Sequence, residues 1–179
     1  MNFRPWSAHA QRKLSATFMV LAVLLPGGGL FAADSSPQVT LNVSPSRPRP
    51  VEPLTQRAIV RDYRFAWASL DRALQSNSAG PLDGLFAGTA NDWLNHAVHH
   101  QLRSGITSAY RNQRHNVDAV FYAPAGDVIE LHDTAEYDFQ IRDGSKTIHQ
   151  EHAMVRYVVL MTPAADRWVI RQLEAVPGF

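Results

Sequence analysis

The stretch that decides the fold is VIELHDTAEYDFQI, at positions 128–141. Apolar and polar side chains alternate along it, which is typical of a β-strand with one buried face. The residues that share the more apolar face are Ile129, Leu131, Asp133, Ala135, Tyr137, Phe139 and Ile141. Asp143-Gly144 follows directly and favours a tight hairpin turn. The stretch therefore predicts a long strand that pairs with the next strand along the chain.

Three further strands are predicted around this one, with turn-forming residues between them. They cover residues 116–123, 146–161 and 167–176. Because each strand follows its neighbour after a short turn, the four strands are expected to form an antiparallel sheet.

Two helices are predicted before the strands. The first begins near Pro53, carries Trp67 on an apolar face of helical spacing, and ends at Asn77. The second begins at Thr89 as its N-cap, weakens at Ser104-Gly105 and resumes through Tyr110. Helices followed by an antiparallel sheet indicate the α+β class.

The first 33 residues predict a signal peptide or an N-terminal anchor. Residues 1–13 are polar and basic, residues 14–25 are apolar or small, and a Pro-Gly break follows. An apolar run of this length is shorter than the roughly 20 residues that span a bilayer, which favours the signal peptide. Both alternatives place the domain outside the cytoplasm. It is then either periplasmic or secreted, or held at a membrane by an uncleaved leader.

Residues 34–53 contain five prolines and predict a semi-rigid linker. Weak alternation over residues 38–43 allows an additional edge strand within this segment. The folded domain is predicted to cover residues 54–179.

Charge and cysteine content exclude several classes of function. All 16 acidic residues but only 14 of the 17 basic ones follow residue 33, so the expected domain has a net charge of −2. Without a basic stripe or patch, nucleic-acid binding is not expected. The chain has no cysteine, which excludes disulfides, thiolate catalysis and cysteine-ligated metals. No motif predicts a cofactor.

Two or three amphipathic helices before a four-stranded antiparallel meander resemble the NTF2-like superfamily, which includes SnoaL-like and ketosteroid-isomerase-like proteins. The residues that carry the resemblance are Ala66-Trp67 with Leu70 and Leu74, the segments 127–131 and 133–137, and Trp168-Val169-Ile170 with Leu173-Glu174. The resemblance implies a curved sheet that wraps a helix and leaves a cone-shaped cavity. Members of the superfamily are isomerases, dehydratases and cyclases, or non-enzymatic domains for binding and assembly, so the fold does not select a function.

Asp133 is the leading candidate for a catalytic residue, because it lies on the apolar face of the long strand. In a cavity of low dielectric constant, a carboxyl group is suited to proton transfer. His152 or Tyr137 would then donate a hydrogen bond to a developing oxyanion. The alternatives are a bulge that turns Asp133 outward, an ion pair with Arg156, and a hydrogen bond to a tyrosine hydroxyl. The candidates to line a pocket are Trp67, Leu131, Tyr137, Phe139 and Trp168.

A metal site is not predicted, although one helical stripe has suitable residue types. Asp92, His96 and His100 follow each other at four-residue spacing and share a helix face. Such a stripe is more often a solvated face than a set of metal ligands. His149 and His152 are three apart on a strand and point to opposite faces, so they cannot chelate together.

The primary interpretation is an exported, non-catalytic domain that binds a small apolar ligand or a partner protein and that forms a homodimer through its sheet. The alternative is a small-molecule isomerase, dehydratase or cyclase with Asp133 as the general base. The membrane is expected as a partner only through an uncleaved leader.

Overall fold

The computed structural model describes residues 36–179, and the predicted leader lies outside them. The described residues form strands β1 (Gln38–Asn42), β2 (Arg47–Pro48), β3 (Ile106–Tyr122), β4 (Ile129–Asp143), β5 (Lys146–Pro163) and β6 (Trp168–Val176), helices α1 (Pro53–Ser76) and α2 (Gly88–Arg103), and a 3-10 turn (Gly80–Leu82). Over these residues, neither helix is long and apolar enough to cross a membrane. The α+β class predicted from the sequence is confirmed.

The sheet has six strands in the order β1-β3-β4-β5-β6, with β2 also beside β3. The four predicted antiparallel strands correspond to β3–β6. The prediction of a purely antiparallel four-stranded sheet is wrong, because β1 and β2 run parallel to β3 and make the sheet mixed. Parallel partners are distant in the sequence, so local alternation does not reveal them.

Part of the segment predicted as a linker belongs to the sheet. The weak alternation over residues 38–43 indeed forms β1, which pairs with β3 from Gln38↔Arg114 to Asn42↔Asp118. Ser46 and Val51 of the same segment are only 2% and 5% exposed. This segment therefore contributes to the packing of the domain.

β3 begins much earlier than the sequence indicated. The expectation that the second helix resumes through Tyr110 is wrong, because α2 ends at Arg103 and Gly105 turns the chain with φ +69°. β3 then starts at Ile106, and its pairing with β4 is interrupted between Arg111 and Arg114. Bulges of this kind bend an antiparallel sheet and change which residues face inward.

The start of α2 also differs from the prediction. The helix begins at Gly88, one residue before Thr89, and has no side-chain cap. The Thr89 hydroxyl instead donates to the backbone carbonyl of Arg171 at 3.1 Å. This contact ties the first turn of α2 to β6.

Helix α1 packs its apolar face against the sheet and is held there by two carboxylates. Asp62 Oδ2 accepts the backbone N–H of Trp168 in β6 at 2.8 Å. Asp71 Oδ1 accepts the backbone N–H of Tyr110 in β3, also at 2.8 Å. These bonds satisfy backbone donors of two strands and position the buried face of α1 over the middle of the sheet.

Candidate functional site

Asp133 lies at the centre of the domain with none of its surface exposed. Its Oδ2 atom accepts hydrogen bonds from the Tyr63 hydroxyl and from His115 Nδ1, each at 2.7 Å. No bulge turns it outward, since β4 pairs regularly with both neighbours around this residue. Of the alternatives considered from the sequence, the structure has the hydrogen bond to a tyrosine hydroxyl.

Three elements bring this polar group together. Tyr63 belongs to the buried face of α1, four residues before Trp67. His115 lies on β3, where it alternates inward with Val117 and faces the same side as Asp133 of the neighbouring strand. The group Tyr63–His115–Asp133, here called the polar triad, therefore connects the helix to two strands of the sheet.

Trp67 covers the polar triad. Its ring lies 4.4 Å from the His115 ring, centroid to centroid, and 6.3 Å from the Tyr63 ring. Both Trp67 and His115 are only 1% exposed. The triad thus lies in an aromatic environment from which water is largely excluded.

Three buried polar atoms around the triad have no hydrogen-bond partner among the described residues. They are Trp67 Nε1, His115 Nε2 and Asp133 Oδ1. Buried polar groups are nearly always paired, so several unpaired ones in one place are unusual. When His115 donates from Nδ1 in its neutral form, Nε2 is an acceptor, and a histidine oriented by a carboxyl group in this way has the arrangement of a general base.

A second aromatic group adjoins the triad on the inner face of the sheet. Tyr137 and Tyr157 share a hydrogen bond between their hydroxyls at 3.0 Å, and the Tyr110 ring contacts those of Tyr137 and Phe139. Burial raises the pKa of each of these three tyrosines, and burial followed by the charge of Asp133 raises that of Tyr63. All four phenols therefore keep their protons near neutral pH and remain hydrogen-bond donors.

The structure does not bring His152 near Asp133. His152 lies on the outer face of β5, where Nδ1 contacts Asp138 at 2.9 Å and Nε2 contacts Glu136 at 3.2 Å. The hydrogen bond to Asp138 raises the pKa of His152, and the same bond lowers the pKa of Asp138. Tyr137, by contrast, lies in the aromatic group beside the triad.

The five residues predicted to line a pocket divide between two places. Trp67, Tyr137 and Phe139 belong to the aromatic surroundings of the triad. Leu131 and Trp168 lie in the main apolar core, to which Trp67 also belongs, and the Trp168 ring lies 6.3 Å from the Tyr122 ring, centroid to centroid.

The helical stripe with metal-ligand residue types lies on an exposed face. Asp92, His96 and His100 all point away from the packed side of α2. Within residues 36–179, no group of three or more histidine and acidic side chains is arranged to hold a metal ion.

Sequence reasoning missed Tyr63 and His115 as partners of Asp133. The first predicted strand begins only at Asn116 and leaves His115 outside it, whereas His115 lies well inside β3. The alternation His115, Val117, Ala119 carried the signal, because it puts the histidine on the apolar face of its strand. Tyr63 has the helical spacing of the apolar face that carries Trp67, and its polar role depends on a contact 70 residues away in sequence.

Comparisons with known proteins identify a fold but no family. No protein-family model matches the chain, and no curated protein matches it. The structure resembles the intermembrane space region of the chloroplast protein ARC6, with a TM-score of 0.56 and 12% identity, over 72% of this chain and 98% of that one. A protein of unknown function with a cystatin-like fold from Nostoc punctiforme matches with a TM-score of 0.39 and 12% identity, over 71% of this chain and 95% of that one. At such identity the first similarity concerns the fold alone, and the score of the second is too low to add to it.

Proposed function

We propose that this chain is an exported, NTF2-like binding module without catalytic activity, which adds an extended segment of a partner protein as a strand along an unpaired edge of β5. The observation that supports it is the exposed edge over residues 146–155. β6 pairs with β5 only from Arg156 to Pro163, and no other described residue pairs with the same edge before Arg156. Backbone N–H and C=O groups on an open edge are ready to pair with another chain.

The side chains along this edge limit what the partner looks like. Lys146 and the irregular pairing next to Ile148 protect the tip of the hairpin, so regular pairing is available over residues 149–155. His149 Nε2 lies 3.4 Å from Glu151 Oε2, and these two side chains make one end of the edge polar. Met154 is 66% exposed at the other end. The expected partner segment is extended, polar opposite His149 and Glu151, and apolar opposite Met154.

The polar triad fits a structural role in such a module. Asp133 receives two hydrogen bonds from α1 and β3 and exposes no atom to solvent. A buried carboxyl group that is paired in this way fixes a helix on a sheet, because its loss would leave buried donors unpaired.

Photo-crosslinking in the producing cell tests the strand-addition proposal. A photoreactive amino acid at Gln150 should give a defined covalent adduct, whereas the same amino acid at His99, on the exposed side of α2, should not. Met154→Lys should reduce the yield from position 150, since it places a charge opposite the apolar end of the partner. Equal yields from the two positions would contradict the proposal, and an adduct of twice the chain's mass would identify the partner as a second copy.

The unpaired atoms around the triad favour one second candidate, an isomerase, dehydratase or cyclase. In such an enzyme, His115 Nε2 would be the general base, and Asp133, which the sequence predicted for that role, would orient His115. This function requires the core to open, because His115 is 1% exposed. Diethyl pyrocarbonate acylates accessible histidine nitrogens, so a labelling rate for His115 comparable to that of exposed His96 would support the enzyme. Labelling of His115 only after unfolding would contradict the enzyme candidate.

A further inference from the structure

The side of α1 that faces away from the sheet is a basic surface. The residues that follow each other along it at intervals of three or four, with Arg64 beside them, are Leu54, Arg57, Arg61, Phe65, Ala68 and Arg72. All of them except the half-buried Ala68 are exposed. Because a helix rises about 1.5 Å per residue, this stripe, here called the α1 surface, extends over roughly 27 Å.

The α1 surface is basic because the two acidic residues of the helix do not reach it. Asp62 and Asp71 are only 2% and 7% exposed, and each accepts a backbone N–H of the sheet. In the sequence these acids interrupt the arginines and hide the stripe. The fold turns both carboxylates inward, so the exposed side of α1 carries four arginines and no acid.

Three of the four arginines are free to bind an anion. Only Arg61 has an acidic partner, the neighbouring Asp62, at 2.7 Å. Over residues 36–179, the other three form no ion pair, and Arg72 donates to the Ser69 hydroxyl at 2.7 Å. Guanidinium groups bind phosphate oxygens well, and their spacing along one face suits a layer of phosphate groups better than a single small anion.

The surroundings of the α1 surface keep it positive. β1, which packs beside α1, has no charged side chain. Asp166 lies near Arg61, whose guanidinium group contacts its backbone carbonyl, but its carboxylate pairs with Arg167 at 2.7 Å. Glu52, just before the helix, pairs with Arg49. Both acids are therefore offset by arginines that lie outside the α1 surface.

Two large apolar side chains lie among the arginines of the α1 surface. Leu54 is 74% exposed and Phe65 is 52% exposed. Charges alone would suffice to bind the phosphate backbone of a nucleic acid or an acidic protein. Exposed apolar side chains between cations are instead typical of helices that lie in the headgroup region of a bilayer, so their presence favours a membrane surface.

We propose that the α1 surface binds a bilayer that contains anionic phospholipids. The arginines bind headgroup phosphates, while Leu54 and Phe65 enter the boundary between the headgroups and the acyl chains. The helix then lies parallel to the bilayer, and the sheet lies on its far side. The α1 surface shares no residue with the β5 edge, so this proposal is independent of strand addition.

Co-sedimentation with vesicles tests the proposal. The full chain, processed as its producing cell leaves it, is mixed with vesicles of phosphatidylglycerol and phosphatidylcholine in equal amounts, and separately with vesicles of phosphatidylcholine alone. It should bind the anionic vesicles more tightly, and this preference should be largely lost at about 1 M salt, where the Debye length is about 3 Å. A leader that remains on the chain contributes equally to every variant, so differences between variants isolate the contribution of α1.

Matched variants separate the charges from the apolar side chains. Arg64→Gln should weaken binding to the anionic vesicles by about fivefold, the effect of one basic side chain at an anionic surface. Arg114→Gln, an exposed position on the outer face of the sheet, should leave binding unchanged. Phe65→Gln should weaken binding by about four- to tenfold, because the exposed half of its ring leaves water in the bilayer. Trp93→Gln, which alters a similarly exposed aromatic residue on α2, should have no effect.

Two results would overturn the proposal directly: equal binding to both kinds of vesicle, or equal effects of Arg64→Gln and Arg114→Gln. Double-stranded DNA and polyglutamate serve as competitors that carry charge but no apolar layer. If either displaces the chain from anionic vesicles, and Phe65→Gln binds as tightly as the unmodified chain, the α1 surface recognises polyanions in general. That result would also overturn the proposal.

Discussion

Replacing Tyr63 by phenylalanine tests whether the polar triad holds α1 on the sheet. The change removes one oxygen and keeps the ring that packs against Trp67 and His115. It deletes the 2.7 Å hydrogen bond to Asp133 and leaves a fully buried carboxyl group with His115 as its remaining partner. Loss of such a bond costs about 1–3 kcal/mol of the free energy of unfolding. For a domain of this size, that corresponds to a fall in Tm of roughly 3–10 °C.

Urea denaturation followed by tryptophan fluorescence and circular dichroism measures the effect. Tyr157→Phe is the matched control, because it removes a hydroxyl whose hydrogen bond joins two neutral groups, Tyr157 and Tyr137, at 3.0 Å. The control should lose about 0.5–1.5 kcal/mol. If Tyr63→Phe costs no more than Tyr157→Phe, the triad does not contribute to stability in the way argued above. If the triad acts as one unit, Tyr63→Phe combined with Asp133→Asn should cost less than the sum of the two single changes, because both remove the same hydrogen bond.

Three further predictions concern other parts of the domain. The hydrogen bond to Asp138 raises the pKa of His152 above its ordinary 6.5. The stabilisation that His152 provides is therefore complete below pH 6.5 and lost as the pH rises through the pKa of the folded state. His152→Gln should reduce the loss of unfolding free energy over this pH range, measured by urea unfolding, and an unchanged pH dependence would contradict the assignment. Asp71→Ala should lower the free energy of unfolding by about 1–3 kcal/mol, because it leaves the backbone N–H of Tyr110 in β3 unpaired. A loss below about 0.5 kcal/mol, roughly the level of a neutral surface change, would argue against that hydrogen bond. Gly126→Ala should destabilise more than Gly144→Ala in thermal unfolding. Both glycines have positive φ, but a Cβ at Gly126 lies 2.8 Å from Arg49 Nη1 and displaces this atom from the Pro124 carbonyl, to which it donates at 3.0 Å. Equal losses would mean that backbone strain alone decides the effect.

The sequence predicted the elements whose period is regular and local. α1 was placed almost to the residue, because its apolar spacing, Pro53 at its start and Asn77 at its end agree. The alternation in β4 correctly put Leu131, Asp133 and Tyr137 on the buried face. Both predictions depend only on the pattern of residues that are close together in the sequence.

The elements that were missed depend on contacts between distant segments. The first part of β3 lacks clean alternation because the bulge at Asn112 and Gln113 shifts the inward face by one residue. β1 is short and gains its stability from a parallel partner in β3. The triad itself joins α1 to β3 and β4, so a single strand pattern identified Asp133 but not the side chains that bind it.

The bond between Asp62 and Trp168 also bears on how the chain is made. It joins α1 to β6 across 106 residues. Ile170 of β6 also makes backbone hydrogen bonds to Leu85 and Ala87, in the segment before α2. A chain that lacks its last strand therefore leaves part of the apolar face of α1 uncovered and the β5 edge from Arg156 to Pro163 unpaired. Contacts of such long range form late and slow the folding of a domain. If the leader directs export as the sequence predicts, a growing chain stays open until its C-terminal residues are made, and it can be passed through a membrane before it folds.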